Sequence, residues 1–121
     1  MNRVVHFEIA AEQPERATKF YSDVFGWQIN KWDGPMPYWL IKTGEGSIGI
    51  DGAIFEQQEN WGKIINTIEV QSVDNFLEKI KNAGGEMVTP KAAIPGVGYM
   101  SYCRDTEGNL FGIMQNDPNA K

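Results

Sequence analysis

Few side chains in this sequence can do chemistry. The chain holds one histidine, His6, inside the apolar stretch VVHFEIA, with Glu8 two residues on. A sheltered imidazole can hydrogen-bond a ligand, or take and give a proton near neutral pH. The plainer role is a satisfied core histidine. Glu8 falls on the same side of a strand as His6, because side chains alternate with period two. Facing inward, its carboxyl would lose solvation, rise in pKa and serve as a base; at a strand end it would simply reach water. The single thiol, Cys103 in YMSYCR, reads as structural, since a nucleophilic cysteine needs a base beside it. One histidine supplies no arguable Ser-His-Asp arrangement. A catalytic divalent ion asks for about three protein ligands. His6, Glu8 and Glu69 are a conceivable set, but side chains two apart on a strand stand about 7 Å from each other. That is a long reach for one ion.

The elements that position these residues follow from periodicity. VVHFEIAA (4–11) is β-branched and apolar and predicts a strand. In QPERATKFYSDVFGW, Pro14 suits a first helical turn, Ala17, Phe20, Tyr21 and Phe25 form one face, and Gly26 stops the helix. Three extended segments follow near 27–32, 38–43 and 47–55, punctuated by Gly34-Pro35 and Gly44-Glu45-Gly46. The order then repeats. KIINTIEVQS (63–72) is a strand, and VDNFLEKIKNAGG is a helix with Phe76, Leu77 and Ile80 on one face. Strands follow at 86–90, 98–104 and 109–115, and the tail NDPNAK reads as frayed. This is βαβββ written twice, with His6 and Ile65 at corresponding places about 59 residues apart. One domain over 1–121 is expected, with units of about 1–60 and 61–117 and a tail 118–121. The joint solution is α+β: two units forming a cup-shaped, partly open eight-stranded barrel with helices outside. Its inner face would be a small-molecule pocket.

Composition narrows the partners. A net charge of -5 argues against nucleic acid and against an anionic membrane surface. No apolar run approaches the roughly 20 residues of a membrane span, and the N-terminus carries acidic residues where a signal peptide would stay apolar. The cytoplasm is the expected address. Trp27, Trp32, Tyr38, Trp39, Tyr99 and Tyr102 fall on or beside strands lining or rimming the cup, which suits stacking on a planar ligand. Core packing is the competing role for each.

VVHFEIA, ATKFYSDVFGW, IEVQSVDNFLEKIKNAGG and RDTEGNLFGI, in that order and spacing, resemble the vicinal oxygen chelate superfamily. It includes glyoxalase I, extradiol dioxygenases, and the bleomycin and fosfomycin resistance proteins. The resemblance implies a divalent metal held by four strand positions, two per unit. Its first-strand histidine falls on His6 and the equivalent in the second unit on Ile65. The last-strand glutamate falls on Gly112, three residues after Asn109, and its partner in the first unit on Gly52. One of the four places is filled; a one-residue slip would bring Asp51 into the place of Gly52.

The fold is therefore expected with its metal site dismantled. Gly52 and Gly112 would widen a pocket lined further by Trp32, Tyr38, Trp39, Tyr99 and Tyr102, with no cofactor expected. Purely local backbone need is the other reading of the two glycines. By family analogy a homodimer is expected, and its ligand is expected to be a small organic molecule, planar if the aromatics stack on it. The rivals are a lyase, isomerase or dioxygenase with non-standard metal ligands or His6/Glu8 acid–base chemistry, and a resistance protein that sequesters a flat drug. Fold alone decides none of these.

Overall fold

The computed structural model describes all 121 residues. It has the expected mixed α+β character, with two helices and nine strands. The chain divides into two compact units, His6–Ile65 and Met1–Val5 with Asn66–Lys121. No helix is long and apolar enough to cross a membrane.

The His6–Ile65 unit contains most of β1 (Val4–Ala11), then α1 (Pro14–Phe25), β2 (Gln28–Lys31), β3 (Tyr38–Lys42) and β4 (Asp51–Glu56). Its strands lie in the order β2-β3-β4-β1, with β1 parallel to β4 and the other pairs antiparallel. α1 begins at Pro14, whose missing N–H costs nothing at a first turn. It ends where the Gly26 N–H returns to the Ser22 carbonyl at 2.9 Å. One sheet face carries Ala11, Ile41 and Ile54, packed with Phe7, Ile9, Ile29 and Trp39 and with Ala17, Tyr21 and Trp27 from the helix and its exit. By alternation, His6, Glu8, Tyr38, Leu40, Lys42 and Asp51 take the other face.

The second unit contains β5 (Ile64–Glu69), α2 (Val73–Asn82), β6 (Glu86–Met87), β7 (Ala92–Ile94), β8 (Gly98–Arg104) and β9 (Leu110–Asn116). The order is β5-β9-β8-β6, with β7 also on β8. Ser72 caps α2, its hydroxyl oxygen accepting from the Asn75 N–H at 3.2 Å. The first helical N–H, at Val73, donates to the Gln115 side-chain carbonyl at 3.0 Å. Val70, Val73 and Ile113 pack with Phe76, Leu77 and Ile80 beneath this helix.

Three details depart from the sequence reading. β7 is an additional strand; Pro90 and Pro95 bracket it and hide it, yet three residues at a sheet edge tolerate such neighbours. β4 starts at Asp51 rather than near Ser47, because the segment before it turns at Gly46 (φ 91°) and Gly49 (φ 95°). The tail is tied down rather than frayed. Asp117 N–H donates to the Val97 carbonyl, and the Ala120 carbonyl accepts from Gly96, both at 2.9 Å.

The register also settles the two glycines. Gly52 lies opposite Phe7, on the helix side, and a Cβ there would stand 2.4 Å from the Phe7 carbonyl oxygen. Gly112 lies opposite Thr67, where a Cβ would meet the Thr67 hydroxyl at 2.8 Å. Backbone must give way at Gly52, whereas at Gly112 only a side chain must. Gly52→Ala should therefore destabilise the protein by about 1–3 kcal/mol, and by more than Gly112→Ala does, in urea melts of the two variants. Equal losses, or the larger loss at Gly112, would contradict this account.

Candidate functional site

The open face of the first unit carries a hollow of about 360 Å³ lined by His6, Gln28, Asn30, Leu40, Lys42 and Asp51. That volume falls at the lower end of ligand pockets, about 300–1,000 Å³. His6 sits on β1 with Asp51 as its register partner on β4, and Lys42 continues the same row on β3. Gln28 and Asn30 are added by β2, opposite Lys42 and Leu40.

His6 is half-buried, and its Nε2 stands 3.0 Å from the Tyr38 hydroxyl. The phenol donates when the ring proton is on Nδ1, and accepts when it is on Nε2. Burial pushes the imidazole pKa below its ordinary 6.5, against the smaller opposing pull of the Glu8 and Asp51 carboxylates. The ring is thus neutral at pH 7. Glu8 is only 5% exposed. Asp51 Oδ1 accepts from the Thr43 N–H at 2.9 Å and its hydroxyl at 3.3 Å, and Lys42 pairs with Glu45 at 2.7 Å. Tyr38 also meets Trp32 edge-on, ring centroids 5.9 Å apart. His6, Tyr38 and Trp32 therefore form a chain of contacts from the hollow to a partly exposed aromatic.

The other sequence candidates scatter. Trp39 belongs to the helix-side core, and Lys31 lies over its ring; the expectation that it faces the pocket is corrected by one step of alternation. Tyr99 likewise packs on the α2 side, under Lys91. Tyr102 falls on the opposite side of β8 from Tyr99, in register with Gly112. His6 and Ile65 do occupy equivalent sides of their strands. Gly52 and Gly112 do not: the ladders align Glu8 with Ala53 and Thr67 with Gly112, so the ladder counterpart of Gly112 is Ala53. Gly52 touches the hollow only as backbone. Gln28, Asn30, Leu40 and Lys42 were missed. Alternation from Tyr38 would have found Leu40 and Lys42; the β2 pair needs the register across the Gly34-Pro35 turn.

The metal that the resemblance implies has no matching donor set. No three histidine, cysteine, aspartate or glutamate side chains gather where they could hold an ion. Ile65 is apolar and fully buried, a side chain at Gly112 would have to displace Thr67, and Glu69 is engaged by the Asn116 amide. Burial raises the Cys103 pKa, against a smaller opposing pull from the Ser101 hydroxyl, and leaves the thiol protonated.

Residues 3–113 match the Glyoxalase/Bleomycin resistance protein/Dioxygenase superfamily, and the chain belongs to that family. It is 31% identical over 114 residues to a glyoxylase-like domain-containing protein of Didymella fabae, covering 88% of each chain. It is 25% identical over 126 residues to a protein of Vibrio parahaemolyticus designated probable lactoylglutathione lyase, covering 94% of this chain and 91% of the other. Against a mycobacterial relative 32% identical over 106 residues, the chain spans 40% of that protein's length. In fold it is similar to methylmalonyl-CoA epimerase from Mycobacterium tuberculosis, with TM-score 0.72, 12% identity, and coverage of 95% and 88%.

The lowered His6 pKa has a sign that can be tested. Protons bind the unfolded histidine before the folded one, so stability is whole above pH 6.5 and declines as pH falls from there toward the folded pKa. Urea midpoints from pH 8 to pH 5 should fall more steeply for the wild type than for His6→Gln. Parallel curves would mean that the imidazole is not held neutral by the fold.

Proposed function

We propose that this chain binds a small planar organic molecule in the hollow beside His6, through hydrogen bonds to the neutral imidazole and stacking against Trp32 and Tyr38, without a resident metal. The observation that carries this reading is the His6–Tyr38 contact on a face that also holds Gln28, Asn30 and Asp51. A neutral ring with a phenol on one nitrogen offers its other nitrogen to a ligand. Trp32 supplies a large apolar surface at the edge of the same cluster. Family membership supports a small organic ligand; a homodimer, by family analogy, and a cytoplasmic address, from composition, are part of the same proposal.

A second reading is favoured by Glu8, buried on the face that carries His6. In it the hollow performs acid–base chemistry on a carbonyl compound. Glu8 would take a proton from the carbon beside the carbonyl and return it to that carbon or its neighbour, while the imidazole N–H donates to the carbonyl oxygen. This is the isomerase or lyase alternative in metal-free form.

A screen of planar carboxamides, phenols and quinones, with affinities read by titration calorimetry, tests the first reading. A hit should bind with micromolar affinity, ignore EDTA, and weaken by about tenfold in Trp32→Ala, a loss of about 1.4 kcal/mol. His6→Ala should weaken it similarly with little change in melting temperature. Affinity abolished by EDTA and restored by one metal would overturn the proposal. Turnover of a hit, lost in Glu8→Gln with affinity kept, would select the acid–base reading.

A further inference from the structure

We propose that the loop joining β3 to β4, Gly44–Ile50, is a lid that carries Ile48 over the His6 hollow, making Ile48 a ligand-contacting residue in the closed state. This rests on the reading of that hollow as the ligand site. Ile48 is 98% exposed, so its side chain has essentially no protein contact. A lone exposed apolar residue says little by itself; its attachment says more. The loop leaves β3 at Lys42 and enters β4 at Asp51, and both residues line the hollow.

Its base is clamped. The Thr43 hydroxyl donates to the Ile50 carbonyl at 2.8 Å, and Thr43 N–H donates to Asp51 at 2.9 Å. Between the clamps lie Gly44, Gly46 and Gly49, the last two at φ 91° and 95°. Glycines there can cross between left- and right-handed backbone at little cost, as hinges of closing loops do.

The reach is sufficient. Ile48 is two residues from the pinned Ile50, so its Cα can sweep roughly 7 Å, before its own side chain is counted. A hollow of 360 Å³ is only about 9 Å across. The remaining tie is the exposed Lys42–Glu45 ion pair, from the hollow's rim to the loop; such pairs are weak enough to exchange. Closure would add an apolar wall to a hollow that already holds Leu40 and Ile41 beside its polar groups, and would shut water away from His6.

The single histidine makes the test clean. Ile48→Cys with Leu40→Cys places two thiols at exposed positions, and a disulfide forms only if their Cα atoms come within about 7 Å. Mild oxidation should give this cross-link while the buried Cys103 stays unmodified. Reaction of His6 with diethyl pyrocarbonate should then slow by about tenfold, as expected if the ring is covered nine parts in ten, and reduction should restore the rate. Without any cross-link, a nitroxide on Ile48→Cys should broaden the one imidazole ring signal beyond what the open loop accounts for. No disulfide together with no excess broadening overturns the lid, as does a disulfide that leaves the His6 rate unchanged. Neither readout needs a ligand. A failed lid therefore leaves the pocket to its own screen, and a failed screen leaves the lid measurable.

Discussion

The parallel pairing of β1 with β4 is the constraint on which the rest of the first unit depends. Phe7 stands beside Gly52, so close that a Cβ on the glycine would come within 2.4 Å of the Phe7 carbonyl. Only glycine permits that approach without moving the strands. The approach fixes the register, and register fixes facing, since a slip of one residue would turn every side chain to the other side. Phe7 and Ile9 consequently pack beneath α1, while His6 and Glu8 join Tyr38, Leu40, Lys42 and Asp51 on the opposite face.

The electrostatics of the hollow follow from that facing. His6 has Glu8 on its own strand and Asp51 as its ladder neighbour, and two carboxylates would ordinarily favour an imidazolium. Burial outweighs them and the ring titrates lower than usual. A neutral imidazole both donates and accepts, whereas a cation only donates. The site therefore suits ligands with carbonyl, hydroxyl or amide groups better than simple anions.

Element order was legible because it depends on properties that local sequence carries. The two helices, the β1 and β8 bounds and the repeat all follow from period and punctuation. The facing of adjacent aromatics was not. Tyr38 and Trp39 are both large and amphipathic, so either could have been the core residue; the structure gives Trp39 to the core and Tyr38 to His6. Gly52 failed for a similar reason. Setting Gly52 as the partner of Gly112 paired two glycines by residue type, but the ladders put Ala53, not Gly52, in the place corresponding to Gly112. The tail was misread because its anchors, Gly96 and Val97, are some twenty positions earlier in the chain, beyond any local pattern.

The two glycines therefore record different physical events. Gly52 belongs to packing: it lies on the helix side, and a glutamate there would point toward Phe7 and the core, not toward His6. Gly112 lies on the other side of its own sheet, where the Thr67 hydroxyl stands in the path of a longer side chain. Restoring the family's four letters would not by itself restore a metal site, because one letter falls on the wrong side and another is obstructed. Each sheet has a helix-covered side and a second side, which in the first unit is buried at Glu8 and Ala53 but opens at the hollow beside His6. Chemistry can be rewritten on the second side while the first holds the fold, which is how one architecture comes to carry unrelated activities.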